Sequence, residues 1–372
     1  MRTFHFGSRI VRGLFAVLGV VLLAACDTND GEASDHGHSH DGLAAEAIRV
    51  VATTPDLAHL ARRVGGSHVE ITTIVDGEED PHVIDVTPGM VTALADAEIL
   101  LVVGYELEEA WLPDLVAGAK NEAVVEGGPA RFVAGDTLRS IEGDTGFRGS
   151  VHPENNPHFL VDPIEGIKVA EQLKHRLTEL RPTVAGEFEE SFAALRDELA
   201  TLLFGEVIAE RLAAGEAEFE QFAIAVESGS EDEVLAGSSQ QMDGQIAAFR
   251  SLTNNSFVGD HDMWPYFARR YGLYVAGYME PIPGVEPTTA HLEMLLGEMQ
   301  TRDVRVILAA TYFDPRHARF LADRTNATTV LMAHQVEALP EADTYVAMIQ
   351  VNAERALEAL RAASATSSLQ RP

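Results

Sequence analysis

The chain has 372 residues, 46% hydrophobic and 23% charged, which is enough for about two globular domains. Its 58 acidic and 27 basic residues leave a formal charge of −31, which excludes a nucleic-acid partner, disfavours adhesion to anionic lipid and concentrates cations near the surface. A single cysteine rules out a disulfide within the chain, so any zinc site must be built from nitrogen and oxygen ligands.

At the N-terminus, Arg2, Arg9 and Arg12 precede an apolar run over residues 14–25 that ends in Leu23-Ala24-Ala25-Cys26. The run is short for a bilayer span, and small residues before a cysteine suit a peptidase that cleaves there once the thiol is acylated. Residues 1–25 therefore read as a lipoprotein signal peptide, with Cys26 as the lipid attachment site. Asp27 resembles the signal that retains lipoproteins at the inner membrane of Gram-negative bacteria. Residues 26–47 are rich in Asp, Gly, Ser, Ala and His without apolar periodicity, and read as a flexible tether. Within it, His36-Gly37-His38-Ser39-His40 suits either zinc scavenging, against the entropy of ordering the segment, or a passive spacer.

From Ile48 onward, apolar β-type runs alternate with helical patterns, the mark of parallel sheets flanked by helices. A first α/β lobe, residues 48–161, is expected to hold strands at 48–53, 69–75 and 98–103 and a short one near 123–126, with helices starting at Pro55, Thr87 and Leu107. Residues 162–213 are expected to be connecting helices. Asp162-Pro163-Ile164-Glu165 is a helix start, with Asp as N-cap, Pro at the first position and Glu at the third. Ile164, Ile167, Ala170, Leu173, Leu177 and Leu180 then recur at steps of three and four. A second helical stretch near 184–213 precedes a Gly/Ser/Glu-rich region at 227–239. The second α/β lobe, residues 214–364, is expected to hold strands at 256–260, 273–280, 304–310 and 328–333, with helices starting at Asp262, Thr288 and Asp314. Residues 365–372 read as a disordered tail. Two four-stranded, mainly parallel lobes joined by a long helix imply limited lobe motion rather than wide hinge closure.

Three histidines far apart in the chain each sit in a short loop signature: Asp80-Pro81-His82, Asn156-Pro157-His158-Phe159-Leu160-Val161-Asp162-Pro163, and Asp260-His261-Asp262-Met263-Trp264. His82 and His261 follow expected strands, and His158 precedes the connecting helix. Ligands in open α/β sheets gather at the carboxyl ends of strands, so one lobe would supply two ligands and the other the remainder, with a transition metal in the interlobe cleft. Three imidazoles and one further group complete a tetrahedral zinc shell, and Asp80 and Asp262 could fix the imidazole tautomers. His59, His68, His175, His291 and His317 read as structural or solvent-facing. A secreted zinc hydrolase stays open, since three histidines and a water describe many catalytic sites, but His-Glu-x-x-His and a poised carboxylate base are missing. A metal buffer or adhesin would show the same anchor and cleft. With no P-loop or nucleophile elbow, nothing promises ATP use or acyl transfer.

In order along the chain, Asp80-Pro81-His82 with Pro88, Gly104-Tyr105-Glu106-Leu107-Glu108-Glu109-Ala110-Trp111, Asn156-Pro157-His158, and His261-Asp262-Met263-Trp264-Pro265-Tyr266-Phe267 followed by Tyr271-Gly272-Leu273 resemble the cluster A-I solute-binding proteins of zinc and manganese ABC transporters. The resemblance continues through Leu203-Phe204-Gly205, Glu280-Pro281-Ile282-Pro283-Gly284 and residues 345–360, so it covers nearly everything after residue 48. It implies a monomeric, non-enzymatic receptor, lipid-anchored outside the cytoplasm, that binds metal between two four-stranded lobes and delivers it to an ABC permease. Carried over by position, His82, His158 and His261 are the first three ligands. A histidine at the third place resembles the zinc-binding members, whereas manganese-binding members often carry a carboxylate there, so Zn2+ is favoured over Mn2+. Many members place an Asp after the last strand of the second lobe. Here Leu331-Met332-Ala333-His334-Gln335-Val336 puts His334 at that place as the fourth ligand, against an open position filled by water. The family's preceding Glu is replaced by Ala310 before Thr311-Tyr312-Phe313-Asp314, leaving Asp314 in reserve. Zinc-binding members often carry a His-rich loop in the first lobe, but residues 135–155 hold only His152.

Overall fold

A computed structural model describes residues 47–138, 155–280 and 285–370, with side chains as far as residue 365. The signal peptide, Cys26, the His36–His40 tract and His152 lie outside the described residues.

The first sheet contains β1 (Ile48–Ala52), β2 (Val69–Thr73), β3 (Ile99–Val102) and β4 (Arg131–Val133), all parallel in the order β2-β1-β3-β4. The second contains β5 (Ser256–Gly259), β6 (Tyr274–Tyr278), β7 (Val306–Ala310) and β8 (Thr328–Met332) in the equivalent parallel order β6-β5-β7-β8. The inner strands β3, β5 and β7 are buried at every residue, which is why they read as continuous apolar runs rather than alternating ones.

The helices of the first lobe are α1 (Pro55–Gly65), α2 (Pro88–Ala95) and α3 (Leu112–Ala119). The connector is α4 (Pro163–Leu180), whose N-cap Asp162 accepts from the Ile164 N–H at 2.9 Å. It is followed by α5 (Ala185–Phe204), α6 (Glu206–Ala213) and the short helices α7 (Phe219–Ser228), α8 (Glu231–Val234), α9 (Ser238–Gln241) and α10 (Gln245–Arg250). The second lobe adds α11 (Pro265–Tyr271), α12 (Thr289–Arg302), α13 (Pro315–Thr325) and α14 (Tyr345–Gln370).

Five boundaries differ from the sequence reading. The fourth strand is at Arg131–Val133, not near 123–126, where Asn121 holds a turn and Ala130 donates back to the Ala123 carbonyl at 2.8 Å. A three-residue, half-buried edge strand is too short for its alternation to show. The helix expected from Leu107 begins at Leu112, because Tyr105 and Glu106 adopt positive φ and Glu108 turns its carboxylate inward. The helix expected from Asp262 begins at Pro265, after a tight turn in which Met263 donates to the His261 carbonyl at 2.7 Å. The stretch 184–213 breaks at Gly205, where φ is +94° and an added Cβ would collide with the Asp243 carboxylate. At the C-terminal end α14 runs on to Gln370, past the tail expected from 365, and Ala363 is still buried against the core.

The strand period of two divides each sheet between two cores. Ile48, Val50, Ile99, Leu101, Phe257, Val306 and Leu308 point into one core shared by both lobes with α1, α4, α5 and α14. Val51, Leu100 and Val102 face a private core of the first lobe, and Val258 and Ile307 face one in the second. The described residues accordingly cluster as one unit rather than as separate lobes.

Candidate metal site

Each candidate ligand is presented by a loop held from behind. His82 lies between β2 and α2, where its backbone N–H donates to the Asp80 carboxylate at 3.0 Å and Trp111 Nε1 donates to the Pro81 carbonyl at 3.0 Å. His158 opens a 3₁₀ turn, His158–Val161, and its N–H donates to Asn156 Oδ1 at 2.8 Å. The other end of that amide, Asn156 Nδ2, donates to the Asp262 carbonyl at 2.7 Å, so the His158 and His261 loops are tied together. Downstream, the buried Asp162 carboxylate takes Arg270 of α11 in a two-pronged pair at 2.8 and 3.0 Å. His261 follows β5, and Asp260 organises its turn by accepting from the His261 N–H at 2.8 Å, Trp264 Nε1 at 2.8 Å and the Ala310 N–H. Burial pushes the Asp260 carboxyl up to about 6, partly offset by those donors.

These supports bring three ring nitrogens to one point. His82 Nε2 lies 3.3 Å from His158 Nε2, and His261 Nε2 lies 3.1 Å from the same atom. The ligand atoms of all three residues lie within 4.8 Å of one another, and they are the one such group among the described residues. The rings stand edge to face at 67° to 75°, so their lone pairs converge. Two imidazole nitrogens on a tetrahedral zinc at 2.0–2.1 Å are about 3.3–3.4 Å apart, and the two pairs that include His158 lie at and just below that spacing. A single proton between two of the rings would satisfy one pair and leave the third nitrogen facing them, whereas a cation satisfies all three.

The expected fourth ligand is placed otherwise. His334 stands outside the trio, with Nε2 donating to the Glu79 carbonyl at 2.9 Å and its ring packed edge-on against Tyr312. That bond leaves Nδ1 unprotonated and buried without a partner, and burial lowers the imidazole to about 4. The ring lines a cavity of about 20 Å³ with Thr54, Asp56, Pro81, Gln335 and His158. Asp314 is also occupied, since it N-caps α13 through the Arg316 N–H and pairs with the Arg316 side chain. Among the other histidines, His68 pairs with Glu187, His59 with Glu337, and His291 Nε2 with the Tyr278 carbonyl. The reading from sequence missed Gln335, Asn156 and the Asp162–Arg270 pair as supports. Local signals for them were confined to the Asp162 N-cap motif and the Asn156-Pro157-His158 signature.

Twin parallel lobes bridged by a long helix, with an all-imidazole donor set where they meet, define a metal-binding solute-binding protein. The family model described as zinc-uptake complex component A, periplasmic, matches residues 50–225 and 233–359, and the chain belongs to that family of substrate-binding components of metal ABC transporters. The manganese ABC transporter substrate-binding lipoprotein PsaA of Streptococcus mitis is 21% identical over 355 residues, 92% of this chain and 96% of that protein. The zinc-binding lipoprotein AdcA of Streptococcus pneumoniae is 23% identical over 354 residues, 91% of this chain and 58% of that longer protein. Among solved structures, a 138–173 deletion mutant of ZnuA with zinc bound matches at a TM-score of 0.62 and 20% identity, covering 84% of this chain and 98% of that one. A mutant of the laminin-binding adhesin Lmb from Streptococcus agalactiae matches equally well, at 0.62 and 19%, covering 84% of this chain and all of that one. These two likenesses establish the shared fold.

Proposed function

We propose that this protein captures Zn2+ outside the cytoplasmic membrane, as a monomer tethered through Cys26, and releases it to an ABC permease. His82, His158 and His261 are the protein ligands. The single observation that carries the reading is the 3.1 and 3.3 Å spacing of their Nε2 atoms, which suits a tetrahedral zinc shell. The relatives divide between the two metals, PsaA being named for manganese and AdcA for zinc. Donor chemistry favours zinc, because three neutral imidazoles suit it while manganese prefers carboxylate, carbonyl and water oxygens. In this reading water takes the fourth position, since neither nitrogen of His334 joins the cluster of the three ligand atoms. The protein's part is to bind and orient: the loops present three lone pairs, and the ion exchanges its waters for them without covalent chemistry.

Competitive titration of the full chain with zinc and manganese tests this reading. Zinc should bind at one equivalent and outcompete manganese, His82→Ala and His261→Ala should each lose at least about two orders of magnitude in affinity, and His334→Ala should lose far less. Affinity should fall as pH drops through about 6.5, where protons compete for the imidazole nitrogens. Stoichiometric tight binding retained by both ligand variants would remove the trio from the site.

A further inference from the structure

The loop that leads into His82 meets the second lobe along one seam, formed by residues 76–80 and residues 334–337. The buried side chain of Gln335 places Nε2 at 3.0, 3.2 and 3.1 Å from the carbonyl oxygens of Asp76, Gly77 and Glu79. Three carbonyls can be met only by a donor, so the amide must present its NH2 group to the loop. His334 Nε2 adds a bond to the Glu79 carbonyl, and the Val336 N–H donates to Asp56 at the start of α1 at 2.7 Å. Across the seam, a Cβ on Gly77 would lie 2.5 Å from Glu337 Cβ and 2.7 Å from the Val336 carbonyl. The loop backbone thus runs against the backbone of the other lobe with no room for a side chain.

We infer that Gln335 is a positioning residue for metal capture: it fastens the loop bearing His82 to the second lobe, so the trio is assembled before the ion arrives. The inference rests on the reading of that trio as the metal site. Trp111 fixes the same loop to its own lobe, and Asn156 ties the His158 and His261 loops to each other. Among the described contacts, it is the Gln335 seam that holds the His82 loop against the lobe carrying His261. Without it the three ligand side chains remain, but binding must also order the loop, which shortens the lifetime of the complex.

Two variants loosen the seam from opposite sides: Gln335→Met, which keeps the length and removes the donors, and Gly77→Ala, which pushes on the facing backbone. Zinc release into a chromophoric chelator, the d–d absorption of the Co2+-loaded protein and the melting temperature of the metal-free protein are measured on each. The expected result is one equivalent bound, Co2+ bands at the wild-type wavelengths because the imidazoles are unchanged, and zinc release about tenfold faster in both variants. Wild-type release rates accompanied only by a lower melting temperature would overturn the proposal, because the seam would then be purely structural. So would shifted Co2+ bands in Gln335→Met, since they would mean a changed ligand set. If wild type and His82→Ala instead hold zinc equally well, the trio reading itself fails, a result separable from the two variants.

Discussion

Asp260, directly after β5, and Glu108, in the loop after β3, play like parts in the two lobes, each a buried carboxylate gathering backbone donors where central strands end. Glu108 accepts from the Val103 N–H at 2.7 Å, the Gly104 N–H at 3.0 Å and the Thr53 hydroxyl at 2.6 Å, as Asp260 accepts from His261, Trp264 and Ala310. Burial raises both carboxyls. Asp260→Asn must turn an NH2 group toward at least one of three fixed donors, leaving a buried N–H unmatched. Thermal denaturation should show a loss of roughly 1–3 kcal/mol, together with weaker zinc binding because the His261 turn loses its anchor. Unchanged stability and affinity would mean the turn is held by other contacts. The importance of His261 was visible from its loop signature. That of the Asp before it was only half visible: Trp264 lies four residues on in the same loop, but Ala310 meets Asp260 only once β5 and β7 lie side by side.

At the scale of elements, helix starts that carried an N-cap and a proline together were legible, as with Asp162 before α4, Thr87 before α2 and Asp314 before α13. Starts governed by an inward-turned side chain were not, as with Glu108 before α3. The segment after β8 shows the same division, since His334 stands where the family places an acid, yet its ring is drawn to the Glu79 carbonyl. This seam also carries two titrating groups of opposite effect. Burial raises Asp56 from 3.8 to about 7, so the folded state holds the extra proton and stability is lost as pH rises through that interval. Burial lowers His334 from 6.5 to about 4, so the unfolded state holds the extra proton and stability is lost as pH falls through that interval. In the metal-free protein, Asp56→Asn keeps an acceptor for the Val336 N–H and removes only the first effect. Its melting temperature relative to wild type should therefore climb steadily between about pH 4 and pH 7. A flat difference across that range would show that Asp56 is ionised throughout.

The whole molecule is organised by the core that both lobes share. Because strands of each sheet point alternate residues into it alongside α4, α5 and α14, wide opening of the lobes would expose a continuous apolar interior to water at about 25 cal/mol per Å². Metal loading should accordingly leave the radius of gyration from small-angle X-ray scattering nearly unchanged, with changes confined to the loops around His82 and Gln335. A clear compaction on adding zinc, of the kind produced by hinge closure, would contradict this.

The alternation of apolar runs and helical faces, the α4 start and the three loop histidines are local properties. Burial periodicity and capping chemistry act over a few residues, and a single chain displays them directly. That the trio forms at all is a different matter, since His82 and His158 are 76 residues apart and His158 and His261 are 103 apart. Their spacing depends on how the shared core sets one sheet against the other and on which backbone carbonyls a distant amide can reach. Gln335 bonds to Asp76 across 259 residues, and no pattern near either residue announces the other. Sequence by itself determined two parallel lobes and the imidazole donors. Only the packed tertiary structure decided that these donors converge within ligating distance of one another, that His334 stands outside the trio with its Nε2 on the Glu79 carbonyl, and that the far lobe holds the loop of His82 in register.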